Sequence, residues 1–197
     1  MLKNAIDMHV HSAPDIIPRK FDDLELARHY SDNGFSAVVL KNHFGDTAAR
    51  AKLASNFAEE TEIFGGIALN HSAGGLNPAA VEVSVKLGGK VVWMPTVDSR
   101  NHKKKLGEAG GISILDEGGK LKSEVLDILD IVKSADIVLA TGHLSREETV
   151  RLVDEARALG VKKIVVTHPE FWITRLPLDF QISLFRFDVF FERCYYF

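Results

Sequence analysis

The chain has 197 residues, 46% of them hydrophobic, and a formal net charge of −3. That length supports one domain with its own core, and neither a basic surplus nor a charge block points to nucleic acid or to a charged tail. No apolar run approaches the ~20 residues of a membrane span, no signal-like apolar stretch opens the chain, and the single cysteine, Cys194, excludes an internal disulfide framework, so the expectation is a cytoplasmic protein that uses neither membrane nor nucleic acid.

β-rich runs alternate with helical patterns from the start. The first run is Ile6–His11, followed by residues 37–43, 63–70, 91–96, 137–143 and 164–168, with 190–195 a seventh candidate. Several are continuously apolar, such as Ala37-Val38-Val39-Leu40 and Ile164-Val165-Val166. Strands buried on both faces of a parallel sheet have this character. Between them lie helix signals. Residues 21–33 stop at Gly34, Asp46 is placed to cap 47–60, and Asn77-Pro78 opens 79–87 before Gly88. Ser123 is placed to cap 124–133. Ser145 and Glu148 form a capping box ahead of the apolar face Val150, Val153, Ala156 and Leu159, which Gly160 ends. Strand, helix, strand, with short links, predicts an α/β fold with a parallel sheet in a single domain over 1–197. One connection is long: 97–121 shows no clear helix, carries His102-Lys103-Lys104-Lys105, and holds a possible small hairpin of 112–115 with 120–121. Such an insertion reads either as a lid or binding loop or as a solvated surface excursion.

Functional groups in parallel α/β folds collect at the carboxyl ends of the strands. Six of the eight histidines fall there: His9, His11, His43, His71, His143 and His168; His29 and His102 do not. His9 and His11, two apart on a strand, project to the same side. Two imidazoles from one strand make half of a metal site, and His143 and His168 can complete it from the opposite wall. Imidazole suits zinc, iron, nickel and copper, and the expectation is a divalent metal, zinc foremost with iron or manganese as alternatives. Asp7 precedes the pair and can orient a ligand. Lys41 ends a buried strand and needs a partner or a shifted pKa. It reads as a carboxylated metal bridge, a substrate clamp or a neutral base, and equally as a snorkelling lysine paired with an acid. His43 and His71 read as ligands of a second metal, as substrate contacts, or as satisfied buried histidines. Asn77 lies in Gly74-Gly75-Leu76-Asn77-Pro78, whose amides can hold an anionic substrate group or simply make a turn. Asp15, Asp98 and Glu192 are the candidates to take a proton at the rim, with loop capping the plainer role for Asp15.

Asp7-Met8-His9-Val10-His11-Ser12 resembles the first-strand motif of the amidohydrolase superfamily and also the first motif of the polymerase-and-histidinol-phosphatase phosphoesterases. Thr141-Gly142-His143 and Thr167-His168-Pro169 look like the superfamily's histidines on strands 5 and 6. Together with Lys41-Asn42-His43, the Gly74-Gly75-Leu76-Asn77-Pro78 turn, Val92-Trp93-Met94-Pro95-Thr96 and Glu192 near Cys194-Tyr195-Tyr196, the set is most similar to an uncharacterised amidohydrolase-like family, over residues 6–196. The resemblance implies a TIM-type β/α barrel with His9, His11, His143 and His168 as metal ligands. It implies a hydrolase that acts on a small amide, ester or lactone through a metal-activated water. The chain departs from the amidohydrolase pattern in lacking the strand-8 aspartate and the strand-4 lysine or glutamate. The phosphoesterases have a seven-stranded barrel, as the count here suggests, but their second motif carries an aspartate where Lys41-Asn42-His43 stands. A phosphoesterase and a non-catalytic metal- or ligand-binding barrel are the alternatives, and a decarboxylase or hydratase would use the same ligand frame.

A closed eight-stranded barrel typically takes ~250 residues, whereas seven strand candidates use the 197 here. Seven of the 12 phenylalanines lie in the last 27 residues. The expectation is one of three: a homo-oligomer that buries 180–197, a chain cut short of a longer form, or a seven-stranded barrel that buries Phe185, Phe187 and Phe197 internally.

Overall fold

The computed structural model describes residues 3–194. It is an α/β fold in which every strand pairing is parallel. The strands are β1 (Ile6–His11), β2 (Ala37–Lys41), β3 (Glu62–Phe64), β4 (Gly66–Ala68), β5 (Val91–Trp93), β6 (Val138–Ala140), β7 (Ile164–Thr167) and β8 (Phe190–Glu192). Strand order follows chain order, in two segments: β1-β2-β3 and β4-β5-β6-β7-β8. Phe197 lies outside the described residues.

The two segments meet at Gly65, in what the sequence reads as one strand. Thr47 explains the break. Its hydroxyl donates to the Leu40 carbonyl at 2.7 Å and accepts the Gly66 N–H at 2.9 Å, and its own N–H donates to the Gly66 carbonyl at 3.0 Å. One threonine therefore stands where a β2–β4 ladder would run. A Cβ on Gly65 would collide with the Thr47 carbonyl, so only glycine admits this approach.

Alternation along β2 divides the interior. Val38 and Leu40 pack against Leu26, Ala27, Ala51 and Ala54 on the flanking helices. Val39 faces the other way, onto Ala68, Val91, Trp93 and Ala140. The largest cluster joins β4 to β7 with α3 (Pro78–Lys86), α5 (Ser123–Ser134) and α6 (Arg146–Leu159), through residues such as Leu69, Met94, Ile128, Leu139 and Leu152. All five are fully buried, and each contributes ~1.5–3 kcal/mol relative to exposure.

Most local signals act as read. Asn77 caps α3, and Ser145 and Glu148 box α6 before left-handed Gly160, while α1 (Asp23–Asp32) starts inside the 21–33 reading, at a capping box of Asp22 and Glu25 that the sequence reading did not single out. The bridge between Leu115 and Leu121 supplies the small hairpin. Three readings are corrected. Residues 97–121 do contain a helix, α4 (Arg100–Lys105), because the Ser99 hydroxyl accepts the His102 N–H at 3.0 Å. Ser123 is the first residue of α5, not its cap; its hydroxyl turns to Glu124. The helix read over 47–60 is only α2 (Ala48–Ala54), with a 3-10 turn Ser55–Phe57 beyond it. The remaining helix, α7 (Leu178–Ser183), precedes β8. No helix among the described residues is long and apolar enough to cross a membrane.

Candidate metal and ligand site

Five histidines from four segments of the chain line one cavity of about 260 Å³: His9 and His11 on β1, His43 after β2, His143 after β6 and His168 after β7. Phe171 and Cys194 complete the lining. The imidazoles follow one another around the wall. Centroids are 5.2 Å apart for His9 and His11, 4.7 Å for His11 and His43, 6.0 Å for His43 and His143, 5.7 Å for His143 and His168, and 4.6 Å for His168 and His9. The register of β1 on β2 shifts between Asp7 and Val10, at the turn of the chain that carries His9. Asp7 secures this stretch: it accepts the His9 N–H at 3.0 Å and the Tyr30 hydroxyl at 2.6 Å. Its side chain thus holds the backbone of His9 and not the imidazole.

The ring nitrogens have distinct partners. His9 Nδ1 lies 2.7 Å and His168 Nδ1 3.0 Å from the same oxygen, Glu192 Oε1. His168 Nδ1 is also 3.0 Å from Cys194 Sγ. His43 Nδ1 is 2.8 Å from Thr96 Oγ1, and His143 Nδ1 is 2.7 Å from His102 Nδ1. On the other side of its ring, His9 Nε2 meets His11 Nε2 at 3.2 Å. Donor atoms of His9, His168, Glu192 and Cys194 lie within 4.8 Å of one another, a group that could hold a metal ion.

Burial and charge keep four of these imidazoles neutral. Burial, then the charge of Lys41, pushes His9 down to about 4 despite the opposing pull of Glu192. The same two causes hold His11, His43 and His143 well below the ordinary histidine range. Burial would raise Glu192, but hydrogen bonds from His168 and His9 outweigh it and keep the carboxyl below its usual range. Burial also pushes the Cys194 thiol up to about 12, with Glu192 adding to it. Lys41 is fully buried, and its Nζ has no hydrogen-bond partner among the described residues. It lies 5.1 Å from the centre of the Trp93 ring. Burial brings Lys41 down to about 8, against the raising pull of Glu192 and Cys194. The snorkelling reading of this lysine is overturned, because its amine is fully buried and pairs with no acid among the described residues. His11 Nδ1 is likewise buried with no partner among the described residues.

Other sequence candidates are not brought to the cavity lining. His71 is exposed, and its N–H donates to Asp98 Oδ2 at 2.9 Å. Asp98 also lies 3.8 Å from Lys103. Asp15 is paired with Arg19 at 2.8 Å and accepts the Ile17 N–H. Asn77 uses its carboxamide oxygen for the α3 cap. Sequence reasoning missed His102, because a run of three lysines after it reads as solvated loop. The signal that could have found it was Ser99, three residues before His102, at capping distance. It also passed over Asn70 and Thr96 as functional groups, although they lock His43 in place.

Among solved structures, the crystal structure of dihydropteroate synthase (FolP) from Thermus thermophilus is similar at 13% identity with a TM-score of 0.44, over 93% of this chain and 66% of that one. The chain spans just under two thirds of that enzyme's length. No curated protein matches the chain. A family model does match, over residues 4–192, and so the chain belongs to DUF6282, a family of unknown function.

Proposed function

We propose that this chain is a metal-dependent hydrolase of a small amide, ester or lactone, built as a TIM-type β/α barrel of seven staves. The observation that carries the reading is the way Glu192 addresses His9. A carboxylate only accepts hydrogen bonds. Its bond to His9 therefore puts the proton on Nδ1 and the lone pair on Nε2, the nitrogen that meets His11 Nε2 at 3.2 Å. Two imidazole nitrogens on one tetrahedral zinc, at ~2.05 Å each, stand about 3.3 Å apart. The pair fits that spacing, and Glu192 behind it supplies the carboxylate that commonly orients a metal-bound histidine. His168, held by the same Glu192 oxygen, is the third candidate ligand. The short distances to Glu192 are those of hydrogen bonds, which argues for Glu192 behind the ligands and not among them.

A divalent metal held there supplies a Lewis acid and lowers the pKa of bound water towards ~7. Around it, the negative charge of Glu192 holds the rings of His9 and His168 in the orientation that ligation needs, and Phe171 narrows the cavity. The His9–Glu192 contact also supports barrel closure, since it joins the first and last strands by side chains. The test is activity on a panel of amides, esters, lactones and phosphoesters with added zinc, manganese or iron. Turnover of a carboxylic substrate supports the reading. Turnover of phosphoesters alone would favour the phosphoesterase alternative, and metal binding with no turnover across the panel would favour a binding protein.

A further inference from the structure

The partners of His43 decide which of its nitrogens carries the proton, and those partners are themselves fixed by the backbone. Asn70 Oδ1 accepts the N–H groups of Thr96 at 2.9 Å and Asp98 at 3.1 Å, while its Nδ2 donates to the His43 carbonyl at 2.8 Å. Two N–H donors require the amide oxygen and a carbonyl requires the amide nitrogen, so the orientation of Asn70 is fixed. Asn70 Nδ2 then also donates to Thr96 Oγ1 at 2.6 Å. Thr96 is fully buried, and its hydroxyl has a single proton. With Asn70 donating to it, the acceptor left within reach among the described residues is His43 Nδ1, at 2.8 Å. The opposite polarity would leave a buried hydroxyl proton without an acceptor, which folded proteins avoid.

We propose that His43 is a fixed hydrogen-bond donor of the cavity and not a metal ligand, holding Nε2–H for a carbonyl, carboxylate or other anionic oxygen of the bound molecule. A nitrogen that keeps its proton cannot ligate. The contrast with His9 is chemical: a carboxylate behind His9 exposes a lone pair, whereas a hydroxyl donor behind His43 exposes an N–H. The wall is thereby sorted into ligating and donating imidazoles by the groups behind them. This deepens the hydrolase reading and rests on it for the origin of the oxygen, since a donor beside a polarising metal is suited to an oxygen that gains charge during reaction.

The test reads tautomers in the 15N-labelled, zinc-free protein, using two-bond correlations between imidazole nitrogens and ring protons, with His43 assigned through His43→Gln. The expected result is a protonated Nε2 and an unprotonated Nδ1 in the wild type. Thr96→Val should release that preference and Thr96→Ser should keep it. If Thr96→Val does not fold, the wild-type spectrum and Thr96→Ser still decide. Formate, added as the probe oxygen, should move the His43 Nε2–H resonance. Zinc should perturb His9 and His11 while His43 retains its proton. A protonated Nδ1 in the wild type, loss of the Nε2 proton on zinc binding, or indifference of His43 to formate would each overturn the proposal. Failure of zinc to bind anywhere would instead count against the metal site and leave the tautomer result standing.

Discussion

His9 Nδ1 lies 2.7 Å from Glu192 Oε1, a contact that spans 183 residues and joins β1 to β8, two strands that share no ladder among the described residues. It fixes the ring that faces His11. The same carboxylate oxygen holds His168. Glu192 thus contacts histidines from two segments of the chain, and the first two predictions bear on that contact.

Replacing His9 and His11 together with alanine should strip the bound metal while leaving the secondary structure intact. Elemental analysis of the purified variant checks this, with circular dichroism as the control for folding. Full metal stoichiometry in the double variant would remove these two residues from the site.

Glu192→Gln keeps the size of the side chain but replaces an acceptor-only group with an amide. Loss of an orienting carboxylate typically costs 10–100-fold in metal affinity, and that is the expected loss here, measured by competition with a chelating dye. Cobalt distinguishes this arrangement from one in which Cys194 ligates. The cobalt-loaded protein should show no sulfur-to-metal charge-transfer band, and Cys194→Ser should leave its visible spectrum unchanged.

Lys41→Met tests the buried amine. A lysine brought down to about 8 from 10.5 is neutral in the folded metal-free chain while still protonated in the unfolded chain between those values. The unfolded state binds more protons there, so wild-type stability should rise with pH between about 8 and 10.5. Below about 8 the burial cost is present in full, on the order of a few kcal/mol. Denaturation of both proteins across that range should show the extra rise in the wild type alone. Lys41→Met should thus be at least as stable as the wild type near neutral pH, and it should lose activity if the amine serves the substrate. Unchanged turnover would confine Lys41 to a structural role.

The aromatic end of the chain carries a prediction about assembly. Leu178, Ile182, Phe185 and Phe190 are 67%, 53%, 63% and 66% exposed, and Phe187 is half-buried. Clustered exposure of this kind commonly marks an interface. Sedimentation should find a dimer or larger assembly, and Phe185→Lys should shift it towards the monomer. A wild-type monomer at all accessible concentrations would leave this surface without a partner copy.

The sequence by itself determined what depends on near neighbours in the chain. The parallel α/β class follows from continuously apolar runs such as Val38-Val39-Leu40, and the helix ends follow from Asn77, Ser145 and Gly160, whose caps act within four residues. The collection of histidines at strand ends was equally legible, because parallel topology places all those ends on one rim. Tertiary structure decided everything that depends on which groups stand behind which. His71 shares the strand-end signature yet faces solvent, while His102, outside every strand end, reaches His143 from α4. Lys41 is buried over Trp93 with no acid paired to it among the described residues, a fact that depends on the inward parity of β2 and on the packing of β5. Whether an imidazole offers a lone pair or a proton is set by one hydrogen bond to its far nitrogen. For His9 that bond comes from Glu192 and for His43 from Thr96, partners 183 and 53 residues away. No local pattern encodes contacts of that range, because they exist only once the strands have been brought side by side.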